Sequence, residues 1–569
     1  MSSRIARALD WLAVWPRFCA LLATLFLARG LFVMSVLPPY EGWDEYQHIA
    51  YLEYLVDHKQ LPVLGESRVP VSLYPELVRF PHSPFGAEQV RRIGGVSYDE
   101  FWKLAGPPAV RGDVKPLLIY QSQQAPLYYR LVAPLYDRLR TGTGMLGAIT
   151  GLRLLNVGFG AIALGAALWS IGMLFRPGPH RYIVGLLIAT QPLYLINVAR
   201  VANDALALML GSVAIAVLIS MNAKWAWHAS VIAGSALGLA ILSKANVLGL
   251  APFVLCAFAL AWAGRRLTWR ASLAGAVICL AICGAITYRY FSYNLERFDM
   301  LSPLQEAVEN VRRGRQMSLW QAAGEMDWRR DFFMRLFRQS LWRGGWSMLG
   351  LDGQVLGVNR PLVKIHGMIV VIAMAAGCSG WIFAKVTASL GLGTWKGRRL
   401  ARAPDATPSR ALRAGNGSPL HDRVHVALIW AMFLSMLAGL SYHALQSQMA
   451  VGDVGTNAWY AAVIFPWLLA VIYVGLTTLP WPRAAQGLAG IFLLNQVIAE
   501  LYGTLFIMPP AYTGERWNEL ARARLAQMHF SGMGPSITMP SLSIGVVIVA
   551  LAILVWIRQM PRSAVKTPA

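Results

Sequence analysis

The chain predicts an all-α polytopic membrane protein with about twelve transmembrane helices (eleven to thirteen), whose large first extracytoplasmic loop contains interfacial helices. Three observations lead there. Of 569 residues, 56% are hydrophobic and only 14% charged, roughly half the charge fraction of an ordinary soluble domain. Mean hydropathy is +0.47, and apolar runs long enough to span a bilayer recur along almost the whole length. Basic residues fall between these runs in the positive-inside pattern.

The first run, 13–37, is preceded by Arg4 and Arg7 and interrupted by Arg17 and Arg29. No small-residue cleavage site follows it, so it reads as a retained helix rather than a cleaved signal. The remaining spans are expected near 152–175, 181–199, 204–221, 228–243, 246–263, 271–290, 363–384, 424–445, 459–478, 485–507 and 541–557. This divides the chain into a first helix (1–37), an extracytoplasmic loop (38–151), helices two to seven (152–290), a second such loop (291–362), helix eight (363–384), a basic cytoplasmic loop (385–423), and helices nine to twelve (424–569). The last part carries a further outer loop near 508–540. The loop Lys385–Arg423 holds eight Lys or Arg against Asp405 and Asp422. Its middle, Ala401–Pro419, has the Pro, Ala, Ser and Gly composition of a linker.

Cys19, Cys256, Cys279, Cys283 and Cys378 all fall inside predicted spans. Small apolar packing residues are the better reading, ahead of disulfides or metal clusters. The net charge of +23 sits in loops and not in a soluble domain, which argues against nucleic acid. The first loop is rich in aromatics, among them Trp43, Tyr46, Tyr51, Tyr128 and Tyr129. These predict interfacial helices over Tyr46–Leu61, ended by Pro62, and over Pro126–Leu139, with rings at headgroup depth.

The run Pro38-Pro39-Tyr40-Glu41-Gly42-Trp43-Asp44-Glu45-Tyr46-Gln47-His48 follows the first span. Glu41, Asp44, Glu45 and His48 recur at spacings of three and four, so a helix would put them on one face. Such a face can take a proton, hold a cation or contact sugar hydroxyls. The plainer alternative is a solvated turn whose carboxylates cap a helix. Several cations defy the positive-inside rule, namely Arg91, Arg92, Arg111, Lys115, Arg130, Arg153, Arg200, Lys244 and Arg289. Lys244 ends one apolar run just where the next begins. It reads as a phosphate ligand or as a lysine snorkelling to the interface. Arg200 and Asp204 sit at the adjacent turn and could pair with each other. Acids are nearly missing from the spans, with Glu500 and Asp204 placed near their ends, which argues against an ion-coupled transporter.

With these residues the chain resembles the GT-C superfamily of integral membrane glycosyltransferases. The pieces that carry the likeness are Asp44-Glu45-Tyr46-Gln47-His48, Gln124-Ala125-Pro126-Leu127-Tyr128-Tyr129, Leu152-Arg153-Leu154-Leu155-Asn156, Asn203-Asp204-Ala205, Leu242-Ser243-Lys244 and Tyr288–Asn294. The arrangement is similar to aminoarabinose and protein mannosyl transferases, and to predicted bacterial membrane proteins with an Asp-Glu-x-x-His motif. Two departures stand out. Ala125 replaces the first proline of a Gln-Pro-Pro-Leu-Tyr-Tyr run, and Asn457-Ala458-Trp459-Tyr460 stands where many relatives have Gly-Arg-Tyr.

The resemblance implies transfer of a sugar from a polyprenyl-phosphate carrier to an envelope acceptor (lipid, glycan or protein), on the extracytoplasmic side of a bacterial inner membrane. Inverting transfer needs one carboxylate base. Asp44 is the first choice for it and Glu45 the second. Lys244, Arg200 and Arg153 are candidates to stabilise the leaving phosphate. Glu41, His48, Tyr128, Tyr129, Asp204 and Asn294 complete the expected binding set. No cofactor is implied with certainty. A divalent metal on Asp44, Glu45 and His48 is the one option, without a second ligand cluster to complete it. Trp342, Arg343 and Trp346, with Arg335 and Arg338, form a basic aromatic stretch that could grip lipid phosphate or headgroups. A lipid-linked glycan flippase, an envelope-assembly scaffold and an oligosaccharide polymerase or ligase using His443 are the rival readings.

Overall fold

In the computed structural model the described residues are 3–42, 44–104, 106, 108–111, 116–304, 307–308, 317–340, 345–346, 349–351, 361, 364–376, 423–479 and 481–560. Among them there are helices, turns and two isolated bridges, Arg68 with Leu118 and His82 with Ser97, and no extended strand. The chain is a polytopic helical membrane protein. Nine of its described helices are long and apolar enough to cross a bilayer. A bent pair and two shorter apolar helices, Asp204–Ser220 and Lys364–Ala376, accompany them. Each of the twelve runs expected from hydropathy overlaps one of these segments. Of the eighth, the part beyond 376 lies outside the described residues, as do Trp43, Lys115, Trp342, Arg343, Cys378 and the 385–422 loop.

We label the elements that build the site α1 (Trp15–Val36), α2 (Glu45–His58), α3 (Leu127–Leu174), α4 (Pro179–Ala189), α5 (Pro192–Val198), α6 (Asp204–Ser220) and α7 (Ala226–Ser243). Helix α2 ends earlier than Pro62 dictates, because Lys59 turns into the left-handed region at φ 56°. Helix α3 joins the expected interfacial helix to the second span across a break at Gly144. The aromatics of the first loop differ from the expected belt. Tyr46, Tyr51, Tyr74, Tyr98, Tyr128 and Tyr129 are buried, since the loop folds over one end of the bundle and packs there as a second layer of core.

Within the bundle, α1 runs along the last helix, Met533–Gln559, and α6 lies between α3 and α7. Helix α7 meets Trp269–Phe298 with almost no side chain between backbones. A Cβ on Gly234 would lie 2.5 Å from the carbonyl oxygen of Cys279, and one on Gly238 3.2 Å from that of Cys283. Small residues permit such close approach where apolar burial alone cannot drive helices together. The described cysteines are free and partly or wholly buried, as packing residues would be.

The third span is broken. Helices α4 and α5 meet at 46° across Thr190-Gln191, because Pro192 has no N–H to continue the ladder. In a bilayer the freed carbonyls need other donors. Arg29 of α1 supplies them, donating to the Ala189 oxygen and, at 3.0 Å, to that of Thr190. Gln496 donates to the Leu187 oxygen at 2.9 Å and to the Thr190 hydroxyl at 2.8 Å. Glu500 neutralises Arg29, accepting from its Nε at 2.8 Å and from Nη2. The span that carries Glu500 runs over Arg483–Thr513, longer than hydropathy suggests, so Glu500 lies inside it rather than near its end.

Glu500→Ala leaves Arg29 buried without a counter-charge. The expected cost is about 3–5 kcal/mol, read as a lowered unfolding midpoint in detergent. Removing both partners with Arg29→Met and Glu500→Met should recover part of that loss.

Candidate active site

The acidic run forms a tight turn at the end of α1, with Tyr40 at φ 65° and Gly42 at φ 83°. Gly42 has a second reason to be glycine, since a Cβ there would stand 2.8 Å from Cδ of Arg200. The turn delivers Asp44 to the N-cap position of α2, yet its side chain caps nothing. The carboxylate is held by side chains instead. Oδ1 accepts from Arg200 Nη1 and Oδ2 accepts from Gln121 Nε2 at 2.6 Å. Asp44 keeps 21% of its side-chain exposure, whereas Glu45 keeps none. The helix-capping alternative is met in position, with Asp44 at the N-cap and Glu45 in the first turn, but the Asp44 side chain makes no capping hydrogen bond.

Glu45 is committed elsewhere. Its two oxygens receive Arg153 Nε at 2.8 Å and Nη2 at 2.6 Å, and Oε1 also accepts the Val201 N–H at 2.7 Å. Arg153 in turn donates to the carbonyl oxygens of Leu37 at 2.5 Å and Pro38 at 2.6 Å. The pair ties the end of α1, the turn, α2, α3 and the 199–203 loop into one block. Both side chains are buried, at 0% and 2% exposure.

Around Asp44 the charges alternate. Arg200 bridges the Gly42 oxygen at 2.9 Å, Asp44 and, through Nη2 at 3.4 Å, Asp204. The Arg200–Asp204 pairing that the sequence left open is present, with Asp44 as a further partner of Arg200. Asp204 also receives Lys244 Nζ, which stands 5.3 Å from the Tyr460 ring. Burial would push the Asp44 carboxyl up, but Arg200, His48 and Lys244 hold it well below the usual carboxylate range. Arg200 is held above its ordinary value by Asp44 and Asp204, against the effect of burial. Beside Asp44, two buried atoms of its own partners, Gln121 Oε1 and Arg200 Nε, have no hydrogen-bond partner among the described residues.

The other sequence candidates are placed as follows. Glu41 points away from solvent at 0% exposure, accepting from Gly42 N–H at 2.9 Å and from the Tyr98 hydroxyl. His48 Nδ1 lies 2.7 Å from the Tyr129 hydroxyl, and its Nε2 lies 3.5 Å from Asp44. Tyr128 exchanges hydrogen bonds with Asn156. Asn294 donates to the Leu301 oxygen at 2.9 Å, an anchor for the chain leaving its own helix. Arg335 donates to Val454 and Asn457 and so braces the loop before Tyr460. Among the described residues no group of three or more His, Cys, Asp or Glu is placed to hold a metal.

Sequence reasoning passed over Gln121, which holds Asp44. The only local signal was the polar run Gln121-Ser122-Gln123-Gln124 ahead of Pro126. Asn156 and Asn203 appeared in motifs without a role. Asn156 donates to the Arg200 oxygen at 2.7 Å, and Asn203 to the Ser243 oxygen at 2.7 Å, beside Lys244. They fix the backbones that present the two cations.

No family model and no curated protein matches this chain. Among solved structures it is similar to ArnT from Cupriavidus metallidurans bound to undecaprenyl phosphate, with 12% identity over 96% of this chain and 78% of that one and a TM-score of 0.41. It is also similar to the apo state of that protein, with 12% identity over 97% and 76% and a TM-score of 0.43. A third similar structure is the Archaeoglobus fulgidus oligosaccharyltransferase in complex with Zn and sulfate, with 14% identity and a TM-score of 0.40. There the match covers 88% of this chain but about half, 53%, of the other.

Two predictions follow from the geometry. Glu45→Gln breaks the buried pair and should cost about 3–5 kcal/mol of stability, read as a lowered unfolding midpoint in detergent. Burial pushes the Glu41 carboxyl up to about 7, so the folded chain binds this proton more tightly than the unfolded chain does. Its contribution is then complete at acid pH and is lost as pH rises toward 7. Glu41→Gln, which keeps an acceptor for Tyr98, should gain midpoint relative to wild type between pH 5 and pH 8. An unchanged difference across that range would refute the assignment.

Proposed function

We propose that this protein is a membrane glycosyltransferase. In this reading it moves a sugar from a polyprenyl-phosphate carrier to an envelope acceptor at the extracytoplasmic face, with inversion. The observation that carries the proposal is the contrast between the two adjacent acids. Glu45 is sealed in a bidentate pair with Arg153, whereas Asp44 is partly open and framed by Arg200 and Lys244. A single reachable carboxylate beside two cations suits a reaction in which one proton is removed and one phosphate leaves. The unpartnered buried polar atoms around Asp44 suit a polar ligand, because such atoms are costly without one. The carrier class is that implied by the motif resemblance, and the undecaprenyl phosphate in one ArnT structure belongs to it.

In this mechanism Asp44 accepts the proton of the acceptor hydroxyl. The oxygen forms a bond to the anomeric carbon as the carbon–oxygen bond to phosphate breaks, and that electron pair leaves on the phosphate. Arg200 and Lys244 answer the growing negative charge. They also set the timing. Arg200 pairs with Asp44 and Lys244 with Asp204, which favours the ionised form of Asp44 and weakens it as a base. A bound phosphate draws the cations toward itself, which restores basicity to Asp44 as the donor arrives. The partners are thus the lipid-linked donor, a lipid, glycan or protein acceptor, and the bilayer.

The test is complementation of a deletion strain, with envelope glycans followed by mass spectrometry and expression checked. A glycan species should vanish on deletion, and Asp44→Asn should leave it at least ~10²-fold down, the lower range for loss of a general base. Lys244→Gln should lower it as well. Full restoration by Asp44→Asn would overturn the proposal in favour of a flippase or a scaffold.

A further inference from the structure

We propose that Tyr129 and His48 are a positioning pair that orients Asp44, acting as a fixed Tyr–His–Asp series. This rests on the reading of Asp44 as the base. His48 lies one turn beyond Asp44, so α2 brings the imidazole beneath the carboxylate. The ring is 1% exposed. Nδ1 lies 2.7 Å from the Tyr129 hydroxyl, and Nε2 lies 3.5 Å from Asp44 Oδ2 and has no hydrogen bond of its own. Tyr129 is fully buried and immobilised by rings. It stacks on Tyr51 at 3.6 Å between centroids and 9° between planes, on His48 at 5.8 Å and 19°, and edge-on to Tyr128 at 5.5 Å.

Which nitrogen carries the proton follows from these neighbours. A buried phenol hydroxyl donates to an acceptor within reach, and for Tyr129 that acceptor is Nδ1 at 2.7 Å. Donation from Tyr129 leaves Nδ1 as an acceptor, so a neutral ring carries its proton on Nε2, toward the Asp44 carboxylate. The other tautomer would set the Nε2 lone pair against a carboxylate oxygen. Arg200 and Gln121 hold Asp44 from other sides. An Nε2–H facing Oδ2 at 3.5 Å approaches from the third direction and limits how the carboxylate plane can turn. The logic is that of a buried group setting the tautomer of a histidine that serves a third residue, with the carboxylate now at the working end.

The test uses geometry that a packing role would not distinguish. The side-chain amide nitrogen of His48→Gln reaches the position of Nε2, and that of His48→Asn only the position of Nδ1. In the deletion strain His48→Gln should keep most of the glycan output. His48→Asn and Tyr129→Phe should each lower it roughly 10–100-fold, the range met when a partner that orients an essential side chain is lost. Equal output from the two amides, or wild-type output from His48→Asn, would overturn the inference. A second readout is independent of activity. In detergent-solubilised protein labelled with 15N-histidine, the resonances lost in His48→Gln should be those of a neutral ring protonated at Nε2. A ring protonated at Nδ1 would overturn it whatever the glycan output of the variants. Asp44→Asn alongside separates the two proposals. Full output there removes the base reading itself, whereas its loss with wild-type output from His48→Asn removes only the positioning pair.

Discussion

The Glu45–Arg153 pair is the constraint on which the rest of this site depends. Two charges placed at 0% and 2% exposure lose most of their hydration, and that loss is offset only by near-complete hydrogen bonding. Here it is nearly complete. Glu45 receives three donors, and Arg153 reaches two carbonyls besides the carboxylate. The groups in that set come from four pieces of chain: Leu37 and Pro38 at the end of α1, Glu45, Arg153 and Val201. The pair cannot form unless the end of α1, the turn, α2, α3 and the loop after α5 are all in place. Once it forms, the neighbouring Asp44 has no freedom to retreat into the core, because the position that would bury it is occupied.

This arrangement explains how two adjacent acids come to differ so much. The helix that starts at Glu45 puts successive side chains about 100° apart. One acid then turns inward to Arg153 and the other outward to Arg200 and Gln121. Charge balance follows the same division. Asp44, Glu45 and Asp204 are matched by Arg200, Arg153 and Lys244, so the end of the bundle carries concentrated but compensated charge. An anionic ligand entering there does not meet a free positive patch. It competes with resident carboxylates, and the energy of exchange falls on the few groups that touch both.

Much of this was legible in the sequence, and the reasons differ by scale. Hydropathy reports on windows of about twenty residues, so each of the twelve runs found a helix. The spacing of Glu41, Asp44, Glu45 and His48 and the misplaced cations Arg200 and Lys244 marked one end of the bundle as the place to look. What could not be read was pairing across distance. Arg153 and Glu45 are 108 positions apart, and nothing local says which acid the arginine will take. Gln121 carries no charge and lies in no periodic pattern, so nothing in its polar run pointed to Asp44. The first-loop tyrosines misled for a related reason. Composition alone cannot separate a ring at a membrane surface from one in a packed layer above it.

The Arg29–Glu500 pair has a consequence for how the protein is made. Its partners are 471 residues apart, one in the first span and one in the second to last. At ribosomal rates of about 5–20 residues per second, roughly half a minute to a minute and a half separates their synthesis. For all that time an arginine inside the first span lacks its counter-charge. The α4–α5 break emerges early in this interval with carbonyls that need the same arginine. The nascent amino-terminal half therefore already offers Arg29 part of its final environment, while the arrival of Glu500 completes it. Assembly of the bundle is in this respect closed from its far end.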